Sequence, residues 1–361
     1  MNSSISGSDR RDHAVDHARP SWRRWLVVFC GTFFGVSALL FTFVLLMDPY
    51  DTGRFPGFRI VGTGDRSPRT AAASRGRDPS FNATVIGNST GQLLDPYRLS
   101  RETGLHFTQL TIPATGPREQ LTLMRWVISH HPAYRAFVVV TDMSWCSADP
   151  NLPLENPFPF WLYGGDGDYL ANVLSSKALD RVVYRIQIAL GMRKRSDPVG
   201  YSDYLIGRKP VFVPDPPAPP APPVNVPAMQ SPPPLPWVAQ LGAFLATLPR
   251  RVDVVVVMPP VYFTLLPQPG SEQGILIDAC KAALAKAIPD RPHSGFLDFR
   301  VDDDSTHDVT DFADMIHYRE KLARRMEAAI ISLLHPGGTG TAAVDDAPRT
   351  ALGSRLNARA P

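Results

Sequence analysis

Two short tracts carry side chains able to take part in one reaction. Gly87-Asn88-Ser89-Thr90-Gly91 closes a short β-type run, Ala83–Ile86. A serine at the carboxyl end of a strand in an open α/β sheet has its hydroxyl at the crevice where such folds bind ligands. Its own N–H and the N-terminus of the following helix would face negative charge developing on a substrate carbonyl. The competing reading is an ordinary helix N-cap, a common use of Ser or Thr after a strand. The second tract, Asp311-Phe-Ala-Asp314-Met-Ile-His317-Tyr318, lies directly before the last helical pattern. Asp314 and His317, three apart at a helix start, can lie on one face with the carboxylate in reach of the imidazole. Such a carboxylate fixes the ring's tautomer and supports the imidazolium, which a base that activates a serine needs. The competing reading is a carboxylate at a helix N-terminus beside an ordinary, partly exposed histidine. Asp304-Ser-Thr-His307 has the same spacing ten residues earlier. The later pair is preferred because an amphipathic pattern (Leu322, Met326, Ile330, Leu333) follows at once and would hold the histidine rigidly.

These tracts need a scaffold that brings residue 89 to residue 317. Ala136–Thr141 and Val252–Met258 are continuous apolar, β-branched runs, the mark of strands buried on both faces. Ala83–Ile86, His106–Ile112 and the weaker Gly295–Phe299 add three more. Helical patterns lie between them: a stretch ending near His130, then 168–190, 237–248, 271–288 and a last one from Tyr318 to Leu334. This alternation predicts a doubly wound α/β domain over 81–335, built on a mainly parallel five-stranded sheet. Residues 210–236 interrupt it, with 13 prolines in 27 positions. So many residues without an N–H donor predict an extended, polyproline-like surface excursion. The segment 48–80, rich in Gly, Arg, Asp, Ser and Pro, reads as a stalk. The tail 336–361 reads as disordered.

The N-terminal part has a different character. From Trp25 to Met47 the chain carries no charge, and only Thr and Ser are polar. About 20 apolar residues at 1.5 Å each cross the hydrocarbon of a bilayer, so 25–47 is expected to be a transmembrane helix in contact with lipid. The run is too long for the core of a cleavable signal, and Leu45-Leu46-Met47-Asp48-Pro49 has no small-residue cleavage site. Arg10, Arg11, Arg19, Arg23 and Arg24 precede the span, while Asp48 and Asp51 follow it. Positive charge stays on the cytoplasmic side, which makes 1–24 a cytoplasmic tail and exports the body to the periplasmic side of the inner membrane.

Composition narrows the rest. The net charge is +3 with no basic stripe, which argues against a nucleic-acid partner. No phosphate-binding glycine loop and no zinc spacing appears, and neither a metal nor a cofactor is implied. Asp302-Asp303-Asp304 with His307 lacks the alternating ligands and turn glycine of a calcium loop and reads as a solvated acidic loop. Trp145, Phe158, Phe160, Trp161 and Tyr163 cluster near Pro-rich sequence; they could floor a sugar- or lipid-facing surface, although packing is the more usual use. With Cys30 in the span, Cys146 and Cys280 remain. They could pair in an oxidising compartment, but two cysteines in a large domain are more often unpaired and buried.

Together, a Gly-x-Ser after the first strand and an Asp-x-x-His before the last helix resemble the SGNH (GDSL-like) hydrolase superfamily. The resemblance extends to its membrane-anchored members linked to acyl modification of envelope polymers, such as the D-alanyl transfer protein of lipoteichoic acid. It covers roughly 81–335 and implies an SGNH/flavodoxin-like fold. It also implies Ser89 as nucleophile, His317 as general base, Asp314 as its orienting carboxylate, and an oxyanion hole formed by Ser89 and Gly116. The expected partners are an envelope polysaccharide or acylated polymer and a membrane-embedded acyl donor protein. Two departures stand out. The first motif reads Gly-Asn-Ser-Thr, and Thr141-Asp142-Met143-Ser144-Trp145 occupies the place of the family's Gly-x-Asn-Asp. A carboxylate cannot replace an amide donor to an oxyanion, so a backbone N–H near Ser144 must substitute or the protein is slow or specialised. The resulting expectation is a serine esterase or O-acyltransferase working through an acyl-serine. The alternatives are a non-catalytic binding or assembly factor on a degenerate scaffold, or an unrelated α/β receptor domain.

Overall fold

The computed structural model describes residues 22–55, 57, 67–201, 205, 212–214 and 233–335. Arg10, Arg11 and Arg19 of the tail, most of the proline-rich segment, and 336–361 lie outside the described residues.

Helix α1, Trp22–Met47, is long and apolar enough to cross a membrane. Only its last turns touch the body. Val44 and Met47 are buried, with Phe41 and Leu45 packed beside them, while Trp25, Phe29, Phe34 and Leu39 stand exposed. The chain then turns sharply through Asp48 (φ 42°) and Asp51 (φ 51°), in the left-handed region that Asp tolerates better than most residues. Their carboxylates hold the turn. Asp48 accepts from the N–H of Thr52 and Gly53 at 2.9 and 2.7 Å, and Asp51 accepts from Ser74 Oγ and the Arg77 guanidinium. Helix α2, Pro68–Arg77, follows with Ala71–Ala73 buried. The reading of 48–80 as a stalk is therefore corrected: its described parts are built into the domain, through buried polar contacts that apolar periodicity does not register.

Beyond α2 come β1 (Ala83–Gly87), α3 (Pro96–Thr103), β2 (Phe107–Thr111), α4 (Pro117–His130) and β3 (Ala136–Val140). Next are α5 (Phe160–Tyr163), α6 (Asp166–Val173), α7 (Ser176–Ala189), α8 (Pro236–Thr247) and β4 (Asp253–Met258). Last come α9 (Glu272–Ala287), β5 (Gly295–Asp298), α10 (Asp304–His307) and α11 (Glu320–Leu334). The five strands are all parallel in the order β2-β1-β3-β4-β5. Alternate strand residues feed two cores. Ile86, Phe137, Val139, Val254 and Val256 meet α4, α8 and α9, while Val85, Val138, Val255 and Val257 meet α3 and α11. This is the doubly wound α/β fold expected from the strand runs.

Two helical readings change. The pattern over 168–190 is two helices, because Ser175 is extended and its side chain accepts from the Ala178 N–H, starting α7 afresh. The helix expected after Ser89 is α3, displaced to Pro96–Thr103, where Asp95 caps it, Pro96 opens it and Gly104 (φ 72°) stops it. Of the two alternatives open for the cysteines, pairing is the one found: Cys146 and Cys280 form a disulfide. Helix α9 crosses the loop after β3, and this packing brings together two positions 134 residues apart in sequence.

Candidate active site

The order of the sheet reverses between β1 and β3, so their carboxyl ends open the crevice that this topology offers to ligands. Gly87 permits the close approach there: a Cβ on it would lie 2.9 Å from Val140 Cβ. Asn88 is extended, and a single 3-10 turn, Ser89–Gly91, follows. The N-cap of that turn is Asn88, whose Oδ1 accepts from the N–H and hydroxyl of Thr90 at 3.0 and 2.8 Å. The Ser89 side chain is thus not the cap. One expectation is corrected here: α3 begins only at Pro96, so no α-helix N-terminus directly follows Ser89, and a helix dipole adds little at this point.

The Ser89 hydroxyl instead meets His317, with Oγ 2.8 Å from Nε2. On the other side of the ring, Nδ1 lies 2.7 Å from Asp314 Oδ2. With the proton on Nδ1, that nitrogen donates to Asp314 and Nε2 accepts from Ser89. The structure therefore brings Ser89, His317 and Asp314 into one hydrogen-bonded chain, across 228 residues of sequence between serine and histidine. It does so without the helix that sequence reasoning invoked. Residues 313–317 form a loop pinched by an antiparallel bridge between Phe312 and Tyr318, and α11 starts only at Glu320. Inside the loop, Asp314 Oδ1 accepts from the N–H groups of Ile316 and His317 at 2.9 and 2.8 Å. Burial pushes the Asp314 carboxyl up, but these two bonds and the His317 ring outweigh it and hold the group below the ordinary carboxylate range. Its side chain is still 54% exposed, which dilutes its field on the ring.

Tyr318 fixes the two tracts to each other. Its ring is buried beside Phe312 in the core, and its hydroxyl donates to the carbonyl of Thr90, the residue after the serine. The loop is further tied to the segment after β4, because the Tyr262 N–H donates to Met315 O at 2.9 Å. Sequence reasoning did not single out Tyr318 for this role. Its position next to His317 was the only available signal.

The oxyanion side is less complete. Gly116 is the N-cap residue of α4, and its N–H donates to Glu119 Oε2 at 3.2 Å. Glu119 is itself buried, and burial raises its carboxyl pKa. Gly116 does face Ser144, since a Cβ on it would lie 3.7 Å from Ser144 Oγ. The Ser144 N–H is engaged too, with Asp142 Oδ1 at 2.9 Å, and its hydroxyl donates to the same oxygen. Asp142 Oδ2 accepts from Asn88 Nδ2, so the loop after β3 is joined to the turn that carries Ser89. Burial raises the Asp142 carboxyl, against these hydrogen bonds and the positive charge of Arg300. The N–H of Gly116, expected in the oxyanion hole, and that of Ser144, the substitute considered for the missing asparagine, therefore have partners already. The Asn88–Asp142 link is a feature the sequence did not reveal. Cys146, two residues beyond Ser144, anchors this loop through its disulfide to α9.

His307 is elsewhere. Its Nε2 lies 2.6 Å from Asp302 rather than bonding Asp304, and its ring stacks on Phe263 at 4.0 Å between centroids. Among the described residues, no group of three or more His, Cys, Asp or Glu could hold a metal ion. The aromatic cluster is mainly packing. Trp145, Phe158 and Tyr163 are buried in the core, and Trp161 meets Tyr50 edge-on where α1 joins the body.

No protein-family model matches the chain, and no curated protein matches it.

Proposed function

We propose that this chain is a membrane-anchored serine esterase or O-acyltransferase of SGNH-like design, acting on acyl esters of envelope polymers on the exported side of the membrane. The observation that carries the reading is the continuous contact Ser89 Oγ–His317 Nε2–His317 Nδ1–Asp314, at 2.8 and 2.7 Å. These are the contacts a nucleophile, its base and an orienting carboxylate require. In the proposed reaction His317 Nε2 takes the hydroxyl proton as Ser89 Oγ bonds to the acyl carbonyl carbon. The tetrahedral centre then collapses, the bond to the leaving alkoxide breaks, and His317 returns the proton to that oxygen. Water or a polymer hydroxyl attacks the acyl-serine by the same proton exchange; the first gives hydrolysis and the second transfer. The Cys146–Cys280 disulfide supports an oxidising, extracytoplasmic setting for the body. Helix α1 supports an anchor that keeps the site near a membrane-proximal substrate or a membrane-embedded acyl donor protein.

A second reading, a binding or assembly factor on the same scaffold, is favoured by one observation. The N–H groups of Gly116 and Ser144 are directed to carboxylates, where an efficient oxyanion hole needs unengaged donors. Labelling of the full-length protein in detergent with a fluorophosphonate probe separates the two. Covalent labelling of the wild type that is absent in Ser89→Ala is the expected result. A folded wild type that does not label would leave the binding reading in place.

A further inference from the structure

We infer that α7 is an interfacial helix that lies on the bilayer surface beside the exit of α1, so that the body is held to the membrane at two places. The inference rests on α1 spanning the bilayer and does not depend on the proposed acyl chemistry.

The first observation is where apolar surface is left uncovered. Outside α1, nine large hydrophobic side chains are exposed among the described residues, and five of them fall between 174 and 192. They are Leu174 (49% exposed), Val183 (50%), Ile186 (36%), Leu190 (66%) and Met192 (73%). On α7 and its C-cap, Val183, Ile186 and Leu190 fall within an arc of about 60° at 100° per residue. The opposite side of the helix, Ala178, Val182, Arg185 and Ile188, is the one buried against the body. The helix is therefore apolar on two faces, and only one of them has a partner among the described residues. Such a face is costly in water and suits a helix lying between hydrocarbon and headgroups.

The second observation fixes the height of the helix. Buried Arg185, midway along α7, donates from Nε to the carbonyl of Met47 at 3.0 Å and lies 3.6 Å from the Asp51 carboxylate. Met47 is the last residue of α1. From Trp25 to Met47 the helix rises about 33 Å, close to the thickness of a bilayer's hydrocarbon core, which sets Met47 at the interface. One arginine side chain thus ties α7 to the depth where lipid headgroups begin.

The third observation is charge. Arg193, Lys194 and Arg195 follow Met192 directly at the C-terminal end of the apolar arc, with no acid between 181 and 196. Arg193 packs over the Tyr184 ring at 3.7 Å, and Lys194 and Arg195 are exposed. Long basic side chains beside an apolar stripe reach out to anionic headgroups while their stems stay in the apolar layer. Continuity with α1 and this basic border select an anionic lipid surface over a second copy of the chain.

The test uses the full-length chain in vesicles containing phosphatidylglycerol, in a Cys30→Ser background. An environment-sensitive fluorophore is attached at Ile186→Cys or Leu190→Cys, with Glu102→Cys on α3 as reference. Both α7 positions are exposed, so the label displaces nothing in the core. Quenching by a lipid with a nitroxide near the headgroup is expected to be at least fivefold stronger at 186 and 190 than at 102, and quenching by aqueous iodide weaker. Equal quenching at all three sites would overturn the inference. So would protection from both quenchers at 186 and 190, which would mean a protein covers the face. Release of the protein by alkaline carbonate would overturn it as well, by removing the anchor. None of these results bears on whether Ser89 labels with a fluorophosphonate.

Discussion

Asp304-x-x-His307 and Asp314-x-x-His317 have the same spacing and lie ten residues apart, yet they end in different contacts. The first is a turn of α-helix, and its histidine ignores the aspartate three residues before it, bonding Asp302 and stacking on Phe263. The second is not helical, and there the aspartate holds the ring from one side while Ser89 meets it from the other. Spacing on a helix face is thus not what makes the pair. A loop closed by the Phe312–Tyr318 bridge folds Asp314 back onto its own N–H groups and turns its second oxygen to the imidazole. The lesson is that the orienting geometry comes from a loop end fixed to the core, and the core contact is Tyr318.

The largest test of this contrast is to remove each ring in turn. His317→Ala should lower the rate of fluorophosphonate labelling at Ser89 by on the order of 10⁴ or more, as loss of the base does in serine hydrolases. His307→Ala should stay within about twofold of wild type, since its ring bonds Asp302 and stacks on Phe263 rather than meeting Ser89. Time courses of gel-resolved labelling measure both. Equal losses in the two variants would mean that the difference between the tracts is structural and that neither histidine serves as the base.

Much of the scaffold was legible because buried parallel strands announce themselves. Ala136–Val140 and Asp253–Met258 have apolar side chains on both faces, and their ends were found within a residue or two. The site was legible as residue types and order, since a serine after the first strand and a histidine near the last helix meet at one sheet edge. What stayed hidden depends on contacts that leave no period in the sequence. The exit from α1 is packed through Asp48, Asp51, Arg77 and Arg185, polar residues whose contacts leave no apolar period. The pairing of Cys146 with Cys280 depends on where α9 crosses, which no spacing encodes. The engagement of Gly116 by Glu119 is a local capping contact three residues long, visible in retrospect as Gly-Pro-x-Glu.

Tyr318→Phe probes the core contact with a smaller expected effect. The change keeps the ring and deletes a buried hydroxyl, leaving the Thr90 carbonyl without that donor. A loss of about 1–3 kcal/mol in unfolding free energy follows from stranding a buried polar group. Labelling of Ser89 should slow by roughly tenfold, because a shift of the loop relative to the serine turn lengthens a contact that the proposed proton transfer needs short. Urea denaturation and labelling rates should move together. A stability loss with an unchanged labelling rate would show that the bridge alone orients His317.

The smallest effect concerns pH and belongs to Asp314. Its carboxyl is held below the ordinary range of about 4 by the Ile316 and His317 N–H groups and the imidazole. A carboxylate whose folded-state pKa is depressed stabilises the fold fully above its unfolded pKa and loses that contribution as pH falls through the folded value. Wild type should therefore be more stable than Asp314→Asn at neutral pH, and the gap should close only below about pH 4. Exposure of the side chain keeps the gap modest, since solvent screens much of the interaction. Asp302→Asn is the matched control in the other tract, with an exposed partner pair and no backbone donors folded onto it. Its stability should follow the wild type across the same range. Thermal unfolding followed by circular dichroism from pH 7 to pH 3 compares the three. A gap for Asp314→Asn that stayed constant with pH would mean that the loop is held by shape, with the ionised carboxylate adding nothing to it.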